Sequence, residues 1–252
     1  MTESRTIAVI PARLASSRFP GKLLVPLAGQ PLLWHVWQRV SMVQNIDRVV
    51  VATEDLEILD AVADWGGSAL RTPQGAQSGT ERIVSVLDQL PADVILNVQG
   101  DEPLVAPQLL ETLVRTSSTS AAEVVTAVYP LQSREQLFDP SIVKVVRDAN
   151  LRCIYFSRAA IPHCRDAPHE AWCDRHTYWG HVGVYAFHRS MLKRFGVMTD
   201  SPLEQVECLE QLRWLENGVR IEAVETSDHV AGVDTPADLR RVAEALEAQV
   251  VR

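Results

Sequence analysis

A chain of 252 residues is long enough to bury a full core, and 46% hydrophobic with 22% charged residues is an ordinary globular composition. The formal net charge of −8 argues against a broad nucleic-acid footprint, so any basic cluster is local and ligand-directed. No apolar run approaches the ~20 residues that span a bilayer, and the opening MTESRTIAVIPAR lacks a secretory pattern, which leads us to expect a cytoplasmic protein.

Ile7, Ala8, Val9 and Ile10 predict a buried parallel strand that breaks at Pro11 into a loop carrying Arg13, Arg18 and Lys22. Small residues between the cations let backbone N–H groups approach a ligand. Three fixed cations on one loop suit a polyphosphate, since Arg offers a planar fork and Lys a compact charge. The plainer reading is a solvated loop with scattered charge. The loop is neither a Walker A sequence nor GxGxxG, which disfavours a dehydrogenase.

Helical and strand patterns then alternate through the first 130 residues, predicting a parallel sheet covered on both faces. Pro31 to Val43 has helical spacing, with Trp34 and Trp37 read as core packing. Asp47 to Thr53 is a strand, and Asp55 to Trp65 a helix stopped by Gly66-Gly67. Ser78-Gly79-Thr80-Glu81-Arg82 leads into an apolar helix, Ile83 to Leu90. Ser78 or Thr80 either caps that helix or helps its free N–H groups receive an anionic or base-edge ligand.

Asp93 to Val98 reads as a central strand running into Gln99-Gly100-Asp101-Glu102-Pro103. Acids directly after a buried parallel strand lie at the sheet's carboxyl edge, where open α/β folds bind ligands. A solvated turn is one reading of them; the one we favour is Mg2+, which takes hard oxygen ligands and needs only one or two carboxylates.

From Val124 the pattern shifts to short strands: Val124 to Tyr129, Val143 to Val146 and Leu151 to Phe156. After a loop from Pro162 to Trp179, His181 to His188 alternates as a half-buried strand. These predict a smaller lobe within about residues 130–200, inside a single domain spanning residues 1–252. His163, Cys164, His169, Cys173 and His176 crowd together, but their spacing matches no common zinc pattern, so they read as free side chains of a loop.

Ser201-Pro202-Leu203-Glu204 has capping-box spacing and opens one helix through Glu207, Glu210 and Gln211 to Glu216, its acids on a solvated face. Thr235 caps the closing helix, Ala237 to Ala248, leaving Asp234 to point elsewhere.

PARLASSRFPGK, SGTERI, NVQGDEPL, YFSRAAIP, HVGVYAF, SPLEQVECLEQLRWLENG and GVDTPADL occur in that order between Ile7 and Leu239. In these segments, over nearly its whole length, the chain resembles the 3-deoxy-manno-octulosonate cytidylyltransferases, the CMP-Kdo synthetases of Gram-negative lipopolysaccharide synthesis. The first segment alone would indicate only the wider group that includes CMP-sialic acid synthetases. The resemblance implies a nucleotide-diphospho-sugar transferase-like α/β fold, with a mostly parallel sheet, helices on both faces and a smaller strand-containing dimerisation lobe. It also implies a homodimer, dependence on Mg2+, and CTP and a 2-keto-3-deoxy sugar acid as substrates, with no nucleic-acid or membrane partner.

By the same resemblance Pro11, Ala12, Arg13, Arg18, Lys22, Ser78, Thr80, Arg82 and Gln99 would bind CTP, and Asp101 and Asp234 would hold Mg2+. Arg13, Lys22, Asp101 and Asp234 would be catalytic. Arg158, His181, Tyr185, Glu204 and Gln211 would line the sugar-acid site, with Arg158 the fork for the sugar carboxylate. Pro73, Gly75 and Ala76 stand ahead of SGTER where relatives often carry charge or His, a departure that bears on contacts around the base. Other readings are a cytidylyltransferase for another 2-keto acid sugar, such as 8-amino-Kdo or a sialic acid, and a non-catalytic CTP-binding sensor.

Overall fold

The computed structural model describes residues 5–16, 18–199, 201–227 and 232–250. Residues 1–4 and Ser17 of the cationic loop lie outside the described residues. In chain order the strands are β1 (Thr6–Ala12), β2 (Pro26–Leu27), β3 (Gln30–Pro31), β4 (Arg48–Thr53), β5 (Ser68–Arg71), β6 (Val94–Asn97), β7 (Val124–Pro130), β8 (Lys144–Arg147), β9 (Cys153–Ser157), β10 (Trp179–His188) and β11 (Ile221–Glu225). The main sheet runs β11-β7-β10-β6-β1-β4-β5, with β8 joined to β10 and β9 to β8, while β2 and β3 form a small separate hairpin.

Side chains along the inner strands alternate between two cores, as a sheet covered on both faces requires. Ala8 and Ile10 of β1 face one core, which is filled by Leu32, Leu33, Val36 and Val40 of the helix Leu32–Ser41 and by Leu109, Leu110 and Leu113 of the helix Pro107–Thr119. Ile7 and Val9 face the other, packed by Ile83, Met191, Leu192, Phe195, Leu212 and Trp214. Trp37 packs on the first core and lies against Trp65, with ring centroids 6.2 Å apart, in keeping with its reading as core packing.

Several expectations need correction. First, β1 does not break at Pro11: Pro11 and Ala12 stay in register with Ala52 and Thr53 of β4. Pairing with β6 stops at Val9 opposite Asn97, so beyond Val9 one flank is open and tolerates a residue with no N–H.

Second, the strands read as a lobe divide. β10 runs antiparallel between β6 and β7 within the main sheet, because Val182, Val184 and Ala186 fill one core and Tyr185 and Phe187 the other. Among the described residues only β8 and β9 branch from it. The following segment is not all loop: it holds the short helical turns His169–Ala171 and Trp172–Arg175, anchored by buried Trp172.

Third, the helix expected from Pro202 to Glu216 is broken. Cys208 adopts a left-handed conformation (φ 54°) between the helices Pro202–Glu207 and Gln211–Glu216. The break lets Leu209 and Leu212 enter the core while Glu207 and Glu210 aim at different partners. The helix expected over Ile83 to Leu90 is likewise displaced: it covers Gly79–Val84 and is followed by a short helical turn at Leu87–Gln89. Among the described residues no helix is long and apolar enough to cross a membrane.

Candidate active site

β1 connects onward to β4 on one flank, while β6 pairs with it on the other, so the direction of strand order reverses between β1 and β6. Such a switch point leaves a crevice beyond the strands' carboxyl ends. Here it is a cavity of about 300 Å³, lined among others by Pro11, Ala12, Arg13, Arg18, Lys22, Ala76, Ser78, Arg82, Gln99, Asp101 and Asp234.

The cationic loop is fixed at both ends. The Leu14 N–H donates to Asp55 Oδ2 at 2.7 Å, and the Gly21 N–H returns to the Leu14 carbonyl at 2.9 Å. Gly21 takes φ 70°, a left-handed turn that suits glycine and delivers Lys22 inward. Arg13 and Arg18 are exposed on the cavity wall, whereas Lys22 is buried.

The Lys22 ammonium donates to Asp101 Oδ2 at 2.6 Å, to the Val233 carbonyl at 2.7 Å and to Asp234 Oδ1 at 3.2 Å. The two segments that supply the acids are tied together, since the Val233 N–H donates to the Asp101 carbonyl at 2.8 Å. Thr235 Oγ1 accepts the Asp238 N–H, capping the helix Pro236–Val250 as expected. Asp234 is thereby left to face Lys22 and Arg18, whose Nη2 lies 2.9 Å from Asp234 Oδ2. Two carboxylates converging on one cationic nitrogen offer hard oxygens of the kind Mg2+ takes, so the residues present fit the expected ion.

Close backbone approach matters at two glycines. A Cβ on Gly79 would meet Pro11 Cγ at 3.1 Å, and one on Gly100 would meet the Pro11 carbonyl at 3.3 Å. Ser78 caps the intervening helix by accepting the Glu81 N–H at 3.1 Å, and its hydroxyl donates to Glu210 Oε1. Thr80 is placed differently from expectation. It is 1% exposed, donates to Glu210 Oε2 at 2.5 Å and does not line the cavity.

Arg82 does line it, but its guanidinium is held from behind by Thr72 Oγ1 at 2.9 Å and Glu54 Oε1 at 3.1 Å. Burial works against the Glu54 carboxylate, yet bonds from Arg82 and the Gly75 N–H outweigh it and keep its pKa below the usual value.

None of the five expected sugar-site residues lines this cavity. His181 and Tyr185 are neighbours on β10, with ring centroids 5.4 Å apart. Thr126 Oγ1 lies 2.8 Å from the Val184 carbonyl and 2.9 Å from His181 Nε2. The hydroxyl's one proton goes to a carbonyl, so we assign the His181 proton to Nε2. Burial lowers the His181 pKa to about 3, so the ring is neutral. Gln211 is buried at the start of its helix.

Arg158 and Glu204 are committed within the protein. Arg158 donates to the carbonyls of Glu207, Pro140 and Cys208 at 2.8, 3.0 and 3.4 Å. Glu204 forms a two-pronged pair with Arg213 at 2.6 and 2.9 Å.

Sequence reasoning missed Glu54, Glu102 and Glu210 as site-supporting groups. Glu210 is kept from the solvated face by the Cys208 turn; burial raises its pKa against the pull of the Ser78 and Thr80 hydroxyls. Glu102 was visible only as part of an acidic pair. Among the described residues its Oε2 has no hydrogen-bond partner, and burial first, then the Asp101 charge, pushes its pKa up to about 8. Around Trp172, His163 and His169 stand edge-on at 5.0 and 4.7 Å; among the described residues no three His, Cys, Asp or Glu side chains form a metal-holding group.

A family model described as cytidylyltransferase matches residues 7–221. A 3-deoxy-manno-octulosonate cytidylyltransferase of Oleidesulfovibrio alaskensis is 44% identical over 242 residues, covering 95% of each chain. A protein of the same name from Porphyromonas gingivalis is 38% identical over 251 residues, covering 98% of each. Among solved structures, a CMP:2-keto-3-deoxy-manno-octonic acid synthetase complexed with CTP superposes with a TM-score of 0.91 at 39% identity, covering 98% of this chain and 99% of that one. By full-length identity and fold, the chain belongs to the 3-deoxy-manno-octulosonate cytidylyltransferase family.

Proposed function

We infer that this protein activates Kdo with CTP, forming CMP-Kdo and pyrophosphate. The observation that carries the reading is a cation-lined cavity at the β1/β6 switch point, facing Asp101 and Asp234, in a chain 39% identical to a synthetase solved with CTP. The sugar's anomeric hydroxyl attacks the α-phosphorus in line, forming the new P–O bond as the bond to pyrophosphate breaks. Such chemistry needs positioning and charge neutralisation rather than a covalent intermediate.

Asp101 and Asp234 would hold Mg2+, which when bound supplies Lewis-acid polarisation of the α-phosphate. Arg13 and Arg18, exposed on the cavity wall, would meet the triphosphate and offset charge on the departing pyrophosphate. Lys22 reaches the same phosphates once its ammonium is released from the acids. Gln99 and Ser78 line the nucleotide side, with Arg82 behind them held by Glu54. On the sugar side His181, Tyr185 and Gln211 remain candidates for contact, and Arg158 and Glu204 shape that side through Glu207 and Arg213.

The setting we propose is a cytoplasmic homodimer serving lipopolysaccharide synthesis. Four free cysteines support a reducing compartment. β9 pairs with β8, its entry at Leu151 and Arg152 is tied to β11, and Ile154 on it is 53% exposed, an apolar residue suited to a second copy. Incubating the protein with CTP, Mg2+ and either Kdo, 8-amino-Kdo or a sialic acid, and measuring pyrophosphate, tests the reading. Release with Kdo supports it; release only with another sugar acid, or with none, overturns it in favour of a different acceptor or a CTP sensor.

A further inference from the structure

Lys22 is in an arrangement at odds with a phosphate-binding lysine. An ammonium has three N–H donors, and all three are engaged by Asp101 Oδ2, the Val233 carbonyl and Asp234 Oδ1. The side chain is 10% exposed, so no fourth partner is drawn from bulk water. In this state Lys22 has nothing left to offer a triphosphate, although it lines the cavity that would hold one.

The arrangement does solve another problem. Asp101 and Asp234 come from segments far apart in sequence and face each other in a part-buried crevice. Two such carboxylates without a counter-ion would repel each other and resist desolvation. The lysine supplies that counter-ion from within the chain. Arg18 shares the role at Asp234 alone among the described residues and does so from a side chain 64% exposed, where water screens it, whereas Lys22 holds both acids.

We propose that Lys22 is a built-in placeholder cation, neutralising Asp101 and Asp234 before ligands arrive and giving way when a divalent ion takes the same two carboxylates. This rests on the reading of those two acids as the metal ligands. A doubly charged ion on both carboxylates repels an ammonium only a few ångströms away. The flexible four-carbon stem then lets the head swing into the cavity, where the nucleotide phosphates lie. Metal binding and release of the lysine to the phosphates are thus one exchange. The ion's affinity in the absence of nucleotide is held down by the resident ammonium, and an ion or triphosphate that draws the lysine away favours binding of the other.

Mn2+ binding to the nucleotide-free full-length protein, followed by electron paramagnetic resonance, tests the exchange without any turnover. Lys22→Met should bind Mn2+ about tenfold tighter than the unsubstituted protein or more. Arg18→Met, which removes an exposed cation from Asp234, should gain less than about threefold because its charge is already screened. Equal or weaker binding by Lys22→Met overturns the proposal, as does an equal gain in both variants, which would report general charge rather than displacement. Lys22→Gln serves as the second variant, with thermal unfolding confirming that each protein is folded. Asp101→Asn separates the two layers of the argument. Loss of Mn2+ binding there upholds the metal reading, and unchanged binding removes that reading and the placeholder together.

Discussion

The Thr80 hydroxyl donates to Glu210 Oε2 at 2.5 Å across 130 positions of sequence, and the Ser78 hydroxyl donates to the same carboxyl's other oxygen. One glutamate therefore fastens the start of the helix Gly79–Val84 to the turn between the helices Pro202–Glu207 and Gln211–Glu216.

Thr80→Val removes one of the two donors and leaves the buried Glu210 carboxyl under-satisfied. Urea unfolding should show a loss of about 1–3 kcal/mol. Because Thr80 does not line the cavity, KM for CTP should stay within about threefold of normal. Unchanged stability with a strongly raised KM would return Thr80 to direct nucleotide contact.

Arg158→Ala frees three carbonyls that its guanidinium now joins, on Pro140, Glu207 and Cys208. A fork serving several acceptors is not replaced by a point charge. Arg158→Lys should therefore lose nearly as much stability as Arg158→Ala, about 1–3 kcal/mol by urea unfolding. Full rescue of stability by Lys would mean that the three carbonyls need only a cation beside them and not a fork.

Asp101→Asn and Asp234→Asn keep the side-chain shape and remove the charge that faces Lys22. Each should cost about 2–4 kcal/mol of transition-state stabilisation, read as a fall in kcat of roughly 30- to 1,000-fold at saturating Mg2+. Near-normal turnover in either variant would take that carboxylate out of the metal site.

His181 gives the fold a pH dependence with a definite sign. Its folded pKa is lowered from 6.5 to about 3 by burial, so across that window the unfolded chain binds a proton that the native protein does not. Stability from this residue is fully present above the unfolded value and is lost as the solution is acidified, with a slope of up to about 1.4 kcal/mol per pH unit. His181→Gln, able to donate to Thr126 in its place, should flatten the acid limb of an unfolding-against-pH curve. Parallel curves for the two proteins would show that the ring titrates normally.

The parallel half of the fold was legible because its cues are local. Apolar runs such as Val94–Asn97 end in acids and glycines at the sheet edge, and Gly66, at φ 73°, stops its helix as its residue type suggests. The gathering of Arg13, Arg18, Lys22, Asp101 and Asp234 at one crevice followed from motif resemblance, and the geometry brings all five to it. What escaped was set by tertiary packing. β10 alternates like a half-exposed strand, yet neighbours cover both of its faces. Cys208 carries no turn signal, so the break that turns Glu204, Glu207 and Glu210 onto Arg213, Arg158 and Thr80 was not readable from residue types.

The contact between Lys22 and Asp234 bridges 212 positions. A nascent chain must therefore emerge through Asp234 before the corner that joins Lys22, Asp101 and Asp234 can close, and every shorter intermediate on the ribosome lacks the acid that completes it.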